Sequence, residues 1–596
     1  MGDRGRDGEA SGDTPAYRDP GRPVAERVAD LLKRMTLAEK AGLMFQQMAA
    51  IGESELFAGA DGDDVPPSAF ELIDEKHLTH FNLVDSADPA AMAGWHNRLQ
   101  ERARETRLGI PVTLSTDPRS AFTDHPGISF LAGPFSQWPE PLGLAAVGDE
   151  EMVREFADIV RREYLSVGIR VSLHPQADLA TEPRWARISG TFGEDADLAA
   201  RMVRAYVEGF QTTRLGPASV ATMIKHFPGG GPQKDGEDPH FPYGREQVYP
   251  GDNLAYHLAP FEAAFEAGAS QVMPYYGMPV GTDHDEVGFG FNRSVITGLL
   301  REKYGFDGII CTDWCLINDF TIWGEKLTAR AWGLEHRTPL ERVEQALNAG
   351  VDQFGGEHCP ELVVELVESG RIPPSRIDES ARRLLREKLV LGLFDAPFVD
   401  PVQAESVVGA PEFVEAGHRA QCRSITVLTN GDDAPILPVH GRPRLYAPGL
   451  GDAVSEYAEM VDDPERADLA LLRVKAPFEK RSGAFEQFLH AGSLEFPDDD
   501  LQDILDVCRR VPTIIDLSLD RPAVVPEILR DAAAVIADYG ASDRAILDVV
   551  FGRHRPQGRL PFDLPSSMAT VAESRPDVPF DTAEPLLPQG HGLRTG

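Results

Sequence analysis

Short apolar runs alternate with longer amphipathic stretches along most of the chain. HFNLVD (80–85), IPVTLSTD (110–117), GIRVSLHPQADL (168–179), VATMIKHF (220–227), SQVMPYY (270–276), DGIICTDW (307–314) and VDQF (351–354) read as strands. Between them lie helical patterns, among them residues 90–107, 150–166, 196–213, 257–267, 291–305 and 341–350. Buried parallel strands read as near-continuous apolar runs, and each must be followed by a crossover helix. Upstream, a helix is expected from about Val24. A second is expected over MTLAEKAGLMFQQM (35–48), with Thr36 and Glu39 spaced as a capping box. The alternation over residues 23–395 predicts a (β/α)8 barrel.

The pattern then changes. APFVDPVQAESVVGAPE is Pro-rich and weakly periodic, and residues 396–415 read as a linker. Residues 416–596 carry five further strand candidates: SITVLTN, RPRLYAPGL, ADLALLRVKAP, VPTIIDLSLD and AAVIADYGA. Their spacing predicts a smaller, doubly wound parallel α/β domain. Residues 1–22 are polar and Gly/Asp-rich without an apolar segment, and read as a disordered lead.

Composition narrows the function. The 58 basic and 95 acidic residues leave a net charge of −37. A surface so negative repels phosphate backbones and anionic lipid, so nucleic acid and membranes are poor partners, and neutral small molecules are unaffected. Five cysteines without a CxxC pair argue against a disulfide framework and a zinc cluster, and no metal or other cofactor is expected. These features place the chain in the cytoplasm and leave homo-oligomerisation open.

In a parallel barrel the reactive groups gather at the C-terminal strand ends. Reading those ends gives Asp117, His174, Lys225 and His226, Tyr275 and Tyr276, and Asp313 with Trp314. A carboxylate, cationic groups and an aromatic wall suit a sugar, whose hydroxyls need convergent donors and acceptors and whose ring faces stack on aromatics.

Nine segments in order then resemble glycoside hydrolase family 3, the β-glucosidase-type exo-glycosidases. They are RMTLAEKAGLMFQ (34–46), LGIPVTLSTDPR (108–119), EPRWARISGTFGED (182–195), IKHFPGGG (224–231), VMPYYG (272–277), YGFDGIICTDW (304–314), LRVKAPFE (472–479), GRLPFDLP (558–565) and PQGHGL (588–593). The resemblance implies a retaining mechanism in which Asp313 is the nucleophile and Glu479 the acid/base, supplied by the second domain. It implies sugar contacts from Asp117, Arg187, Lys225, His226, Tyr275 and Trp314. Glu486 and Glu495 are rivals to Glu479 in the same loop. Asp238-Pro239-His240 resembles the Asp-x-His acid/base of the family's N-acetylglucosaminidase branch, which would admit an N-acetylhexosaminide or phosphorolysis. An Asp at 117 fits glucose, with xylose as the alternative. Segments 281–292 and 480–495 are expected at the barrel mouth, and no fibronectin-like third domain is expected. A catalytically dead sugar-binding protein is the competing class.

Overall fold

The computed structural model describes residues 15–52, 67–123, 129–431 and 435–594. Eight parallel strands close into a barrel: β1 (Phe45–Ala49), β2 (His80–Leu83), β3 (Thr113–Thr116), β4 (Ile169–Ser172), β5 (Ala221–Phe227), β6 (Gln271–Pro274), β7 (Ile309–Trp314) and β8 (Gln353–Gly355). Each pairs with its neighbours in sequence, and β8 closes on β1 through Phe45↔Phe354. Crossover helices such as Glu150–Val167 and Ala196–Gln211 carry their apolar stripes inward.

The sequence reading needs one correction at the start of the barrel. The helix capped by Thr36 and Glu39 forms, but it ends at Leu43, and FQQMA is strand β1. Two glutamines gave that segment an amphipathic look. Both are buried and partnered: Gln46 Nε2 donates to Ser115 Oγ, and Gln47 Nε2 lies 2.8 Å from His358 Nδ1. Once paired, they cost little in a strand covered on both faces.

Of the expected lead, residues 1–14 lie outside the described residues. Within its remainder, Ala16–Arg18 form a turn, Tyr17 is buried, and its hydroxyl donates to Leu108 O at 3.0 Å. The expected linker carries two helices, Pro401–Val407 and Pro411–Ser424, each with proline at its first position. The first packs against the helices Pro89–Glu105 and Glu150–Val167 of the barrel.

The second domain is built on a six-stranded sheet: β9 (Thr426–Thr429), β10 (Arg444–Tyr446), β11 (Glu459–Val461), β12 (Leu469–Lys475), β13 (Thr513–Ser518) and β14 (Ala534–Asp538). Its order is β9-β14-β13-β12-β10-β11. Five strands were expected, all parallel. The sixth, β11, is a short edge strand of EMV with its side chains mostly exposed, so it lacks the apolar run that marks the others. β9 runs antiparallel to β14, and the other pairs are parallel. The barrel core continues into this domain through Trp138, Ile515, Tyr539 and Phe562.

Candidate active site

The C-terminal strand ends open into a cleft of about 760 Å³. Asp313 is the penultimate residue of β7 and faces the cleft. Its Oδ1 accepts the Trp314 backbone N–H at 2.8 Å, and its Oδ2 is buried with no hydrogen-bond partner, 4.0 Å from His226 Nε2. Burial pushes the Asp313 carboxyl up to about 6, while Arg187, the Trp314 amide, the Tyr276 hydroxyl and Lys225 oppose the shift. The group is therefore largely ionised at neutral pH, with one oxygen free to react.

Asp117, directly after β3, also faces the cleft. Lys225 Nζ donates to its Oδ1 at 2.6 Å and Asn82 Nδ2 to its Oδ2 at 3.2 Å. His226, which follows Lys225 on β5, is held from behind by Asp178, which lies 2.7 Å from its Nδ1 and accepts its backbone N–H at 3.2 Å. Asp178 also accepts the Gly230 N–H at 2.5 Å. Burial and the charges of Arg187 and Lys225 push His226 well below the usual histidine range, so it is neutral. Gly230 explains part of the PGGG run. A Cβ there would meet Tyr275 Cε1 at 2.9 Å and Trp185 Cζ2 at 3.1 Å, so only glycine lets the backbone approach this closely.

Arg187, buried between Asp178, Asp238 and Asp313, supplies positive charge to all three. Trp314 lines one wall. Its ring lies over Gly355 and Gly356 at the end of β8, where a Cβ would meet it at 2.6 and 2.7 Å. Lys225, His226, Asp117, Asp313 and Trp314 of the strand-end reading thus converge on the cleft, together with Arg187, which the family resemblance implies.

The resemblance assigns a sugar contact to Tyr275, but it is Tyr276 that the structure brings to the cleft. Tyr275 lies behind the cleft, fully buried, with its ring 4.7 Å from His226. Tyr276 lines the cleft; its hydroxyl accepts from Trp314 N at 2.9 Å and from Arg330 Nη1 at 3.1 Å, which fixes the end of β7. His174 does not enter the site. It points into the core, where Tyr206 Oη lies 2.6 Å from its Nδ1 and the Tyr164 and Phe210 rings pack against it.

The proton-transfer candidates separate clearly. Glu479 is exposed and lies outside the cleft; its Oε1 accepts the Ser493 N–H at 3.1 Å within its own loop. Glu495 is likewise exposed. Glu486 is turned toward the Tyr243 hydroxyl and Arg481. His240 does line the cleft. Its Nδ1 is held by Asp238 Oδ1, and its ring packs 4.7 Å from Tyr276 and 5.3 Å from Phe485. Burial pushes His240 down to about 4 despite its acidic partner, and Asp238 sits at about 2.

The outer cleft is aromatic. Phe485 and Phe488 reach in from the second domain and pack on Trp323 from the barrel, at ring-centroid distances of 5.8 and 4.9 Å. Arg330 lies over the rings of Tyr276 and Phe320, at 4.9 and 4.6 Å. Segment 480–495 therefore borders the cleft, and no residue of 281–292 lines it. Sequence reasoning missed Asp178, Asn82, Arg330 and this aromatic rim. Asp178 and Asn82 carried a usable signal, since both lie in or end strand-like runs. Trp323 sits at the turn of a short antiparallel hairpin, Phe320–Ile322 with Glu325–Leu327, and Arg330 in the irregular segment after it, and neither carried one.

Comparison with known proteins agrees with this architecture. Residues 69–387 match the glycosyl hydrolase family 3 N-terminal domain, and residues 318–595 match the C-terminal domain of the same family. The chain is 52% identical to the probable beta-glucosidase C of Aspergillus flavus, over 97% of this chain and 92% of that one. It is 43% identical to the periplasmic beta-glucosidase/beta-xylosidase of Dickeya chrysanthemi, over 99% and 92%. In fold it resembles the exo-1,3/1,4-beta-glucanase of a Pseudoalteromonas species, with a TM-score of 0.76 at 20% identity over 97% of this chain and 75% of that one. With both domain models matched in order and 52% identity to a relative over 97% of this chain, the chain belongs to glycosyl hydrolase family 3.

Proposed function

We propose that this glycoside hydrolase is a β-glucosidase that removes the non-reducing terminal sugar from small neutral glycosides with retention of configuration. The observation that carries the reading is Asp313: a buried carboxylate at a strand end with one unpaired oxygen, facing a cleft also lined by Asp117, Lys225, His226 and Trp314. Asp313 Oδ2 attacks C1 as the bond to the leaving oxygen breaks, giving a covalent glycosyl-enzyme; water then attacks C1 and releases Asp313. Asp117 with Lys225, and Arg187 with His226, hold the sugar hydroxyls. The β-glucosidase names of the relatives support glucose, and the Dickeya relative's double name keeps xylose as the second sugar.

For proton transfer the geometry favours His240 over Glu479. His240 shares the cleft with Asp313, with Tyr276 beside both, whereas the Glu479 carboxylate is tied to its own loop. Protonated on Nε2, His240 donates to the leaving oxygen; neutral, it takes the proton of the attacking water. Asp238 holds Nδ1 and stabilises the cationic form. A cytoplasmic location belongs to the same proposal and rests on the five free cysteines; cell fractionation decides it.

A panel of aryl β-glucoside, xyloside, galactoside and N-acetylglucosaminide, with the released sugar identified, tests the substrate. Asp313→Ala should abolish turnover on every member. Wild-type rates in that variant would remove Asp313 from the mechanism, and saturable binding without hydrolysis by the wild type would favour a binding protein. His240→Ala should lose ~10²–10⁴-fold on poor leaving groups and little on dinitrophenyl glycosides, which need no protonation. The same pattern in Glu479→Gln instead would return the role to Glu479. Acceleration by added phosphate would identify phosphorolysis.

A further inference from the structure

Beyond the cleft, in the second domain, four side chains of different chemistry point at one another. His418 and Cys422 are one helical turn apart on the helix Pro411–Ser424 and share a face. Asp548 comes from the helix Asp543–Val550, and His554 from the turn that follows it. One potential ligand atom from each lies within 4.8 Å of all the others. His418 Nε2 is 2.9 Å from Asp548 Oδ2 and 3.7 Å from Cys422 Sγ. His418, Cys422 and Asp548 are buried, and His554 reaches partly to the surface.

A thiol, an imidazole and a carboxylate together suggest a nucleophilic relay first. The contacts exclude it. A relay needs the carboxylate on one ring nitrogen and the thiol on the other, so that a proton passes across the ring. Here both contacts go to the same nitrogen, Nε2, and Cys422 is fully buried, without access to a substrate. Donors that converge on one point, not in a line, suit a single cation.

We propose that His418, Cys422, Asp548 and His554 form a binding site for one zinc ion. Two imidazoles, a thiolate and one carboxylate oxygen make a four-donor set of the kind tetrahedral zinc takes, and the sulfur and nitrogen donors disfavour calcium and magnesium. The surroundings are arranged to orient these donors. The Tyr457 hydroxyl holds the other Asp548 oxygen at 2.7 Å, leaving Oδ2 for the ion. The N–H groups of Arg553 and His554 both donate to Asp548 O, at 2.7 and 3.0 Å, and so tie the His554 turn to the helix end. On binding, Cys422 gives its proton to solvent, and His418 carries its single ring proton on Nδ1, so one proton leaves per ion. Two cations compete. Arg544 Nε lies 3.8 Å from Asp548 Oδ2 and Arg553 Nη1 3.6 Å from Oδ1, but both side chains are about half exposed or more and can turn into water. The ion would join the helix that follows the barrel to a helix packed on the second-domain sheet, a structural role remote from the cleft.

The test uses the full-length, untagged, EDTA-washed protein titrated with Co²⁺ and then Zn²⁺. One Co²⁺ per chain is expected, with a thiolate-to-cobalt charge-transfer band that Zn²⁺ bleaches. Cys422→Ser should remove the band, and Cys508→Ser should keep it. His554→Gln, which alters a partly exposed residue and spares the core, should weaken zinc binding about 100-fold while leaving glycoside hydrolysis unchanged; Tyr457→Phe should weaken it about 10-fold. Arg544→Ala should tighten it. Absence of the band in the wild type, or its survival in Cys422→Ser, would overturn the proposal.

Discussion

At the scale of single residues, the site sets charge against burial. Asp313 has to be ionised to attack, yet burial raises its carboxyl to about 6. A carboxyl whose folded value lies above its ordinary value of 3.8 stabilises the fold fully only below that ordinary value. The contribution is lost as pH rises through about 6. Asp313→Asn removes this cost. At pH 7–8 it should raise stability by up to about 2–3 kcal/mol, a shift of roughly two units at 1.36 kcal/mol each, and at pH 3 the gain should vanish. Thermal melts of the two proteins at both pH values check this, and the variant's loss of turnover is read in parallel. His240 adds a kinetic consequence. With His240 near 4 and Asp313 near 6, the reactive form, protonated histidine with ionised aspartate, peaks between those values. We expect kcat/KM on an aryl glucoside to follow a bell centred near pH 5, with its acid-side limb set by the lower of the two values and its alkaline-side limb by the higher, because the active form is the minority one. A plateau extending above pH 7 would contradict this assignment.

At the scale of elements, the loop between β12 and the helix Asp498–Arg510 places Phe485 and Phe488 in the cleft, and Arg521 anchors that loop. Its guanidinium donates to five carbonyls: Arg184 O at 3.0 Å, Gly492 O at 3.1 Å, Pro477 O at 2.7 Å, Ala491 O at 3.0 Å and Ser493 O at 2.9 Å. Arg184 belongs to the barrel, so one side chain fixes the second-domain loop to the site. Arg521→Met would leave these carbonyls unpaired and free the loop. The expected result is a KM for aryl glycosides raised on the order of 10-fold, about 1.4 kcal/mol, with kcat changed much less. Equal losses in kcat would mean that the loop touches the reacting centre directly. Much of this scale was legible in the sequence. Strands buried on both faces announce themselves as apolar runs, and the polar residues ending β3, β5 and β7 fell where a barrel puts its chemistry, whereas His174 after β4 turned into the core. What escaped did so for physical reasons. FQQMA hid its strand because its glutamines are satisfied by partners distant in sequence, Ser115 and His358. Tyr275 was expected at the cleft and Tyr276 meets it instead, since adjacent strand-end residues face opposite ways and one residue of register decides which is presented. Glu479 matched a motif, but its position depends on a loop whose path is set by Arg521, not by local pattern.

At the scale of the whole molecule, two effects act on stability in the same direction. The first is the net charge of −37, whose self-repulsion shrinks as pH falls toward the isoelectric point near 4.8. The second is a set of buried carboxyls that burial raises: Asp178 and Asp313 to about 6, Glu357 and Glu387 to about 7, and Glu140 and Glu194 to about 8. Because each folded value is raised, each group stabilises the fold at low pH and gives that stability up as pH rises through its own folded value. Glu194 does this at the junction between domains, where it accepts the N–H groups of Asp563 and Phe580 at 2.7 and 2.9 Å. The paired carboxylates work the other way. Asp238 and the exposed Asp468 both lie at about 2, and their contribution persists until pH falls well below about 4. Between about pH 7 and 9 the raised set dominates the titration of these carboxyls, so thermal stability should decline steadily from pH 7 to pH 9. Below the ordinary histidine value of 6.5 the buried neutral histidines His80, His96, His174, His226, His240 and His257, whose folded values are lowered, act in the opposite direction and withdraw stability as pH falls. Added salt should recover the part due to surface repulsion, because exposed charges are screened, but not the part due to buried groups. Glu194→Gln separates the two: it should flatten the decline between pH 7 and 9 at any salt concentration. A Tm that is level or rises from pH 7 to 9 would show that the buried carboxyls keep their ordinary values.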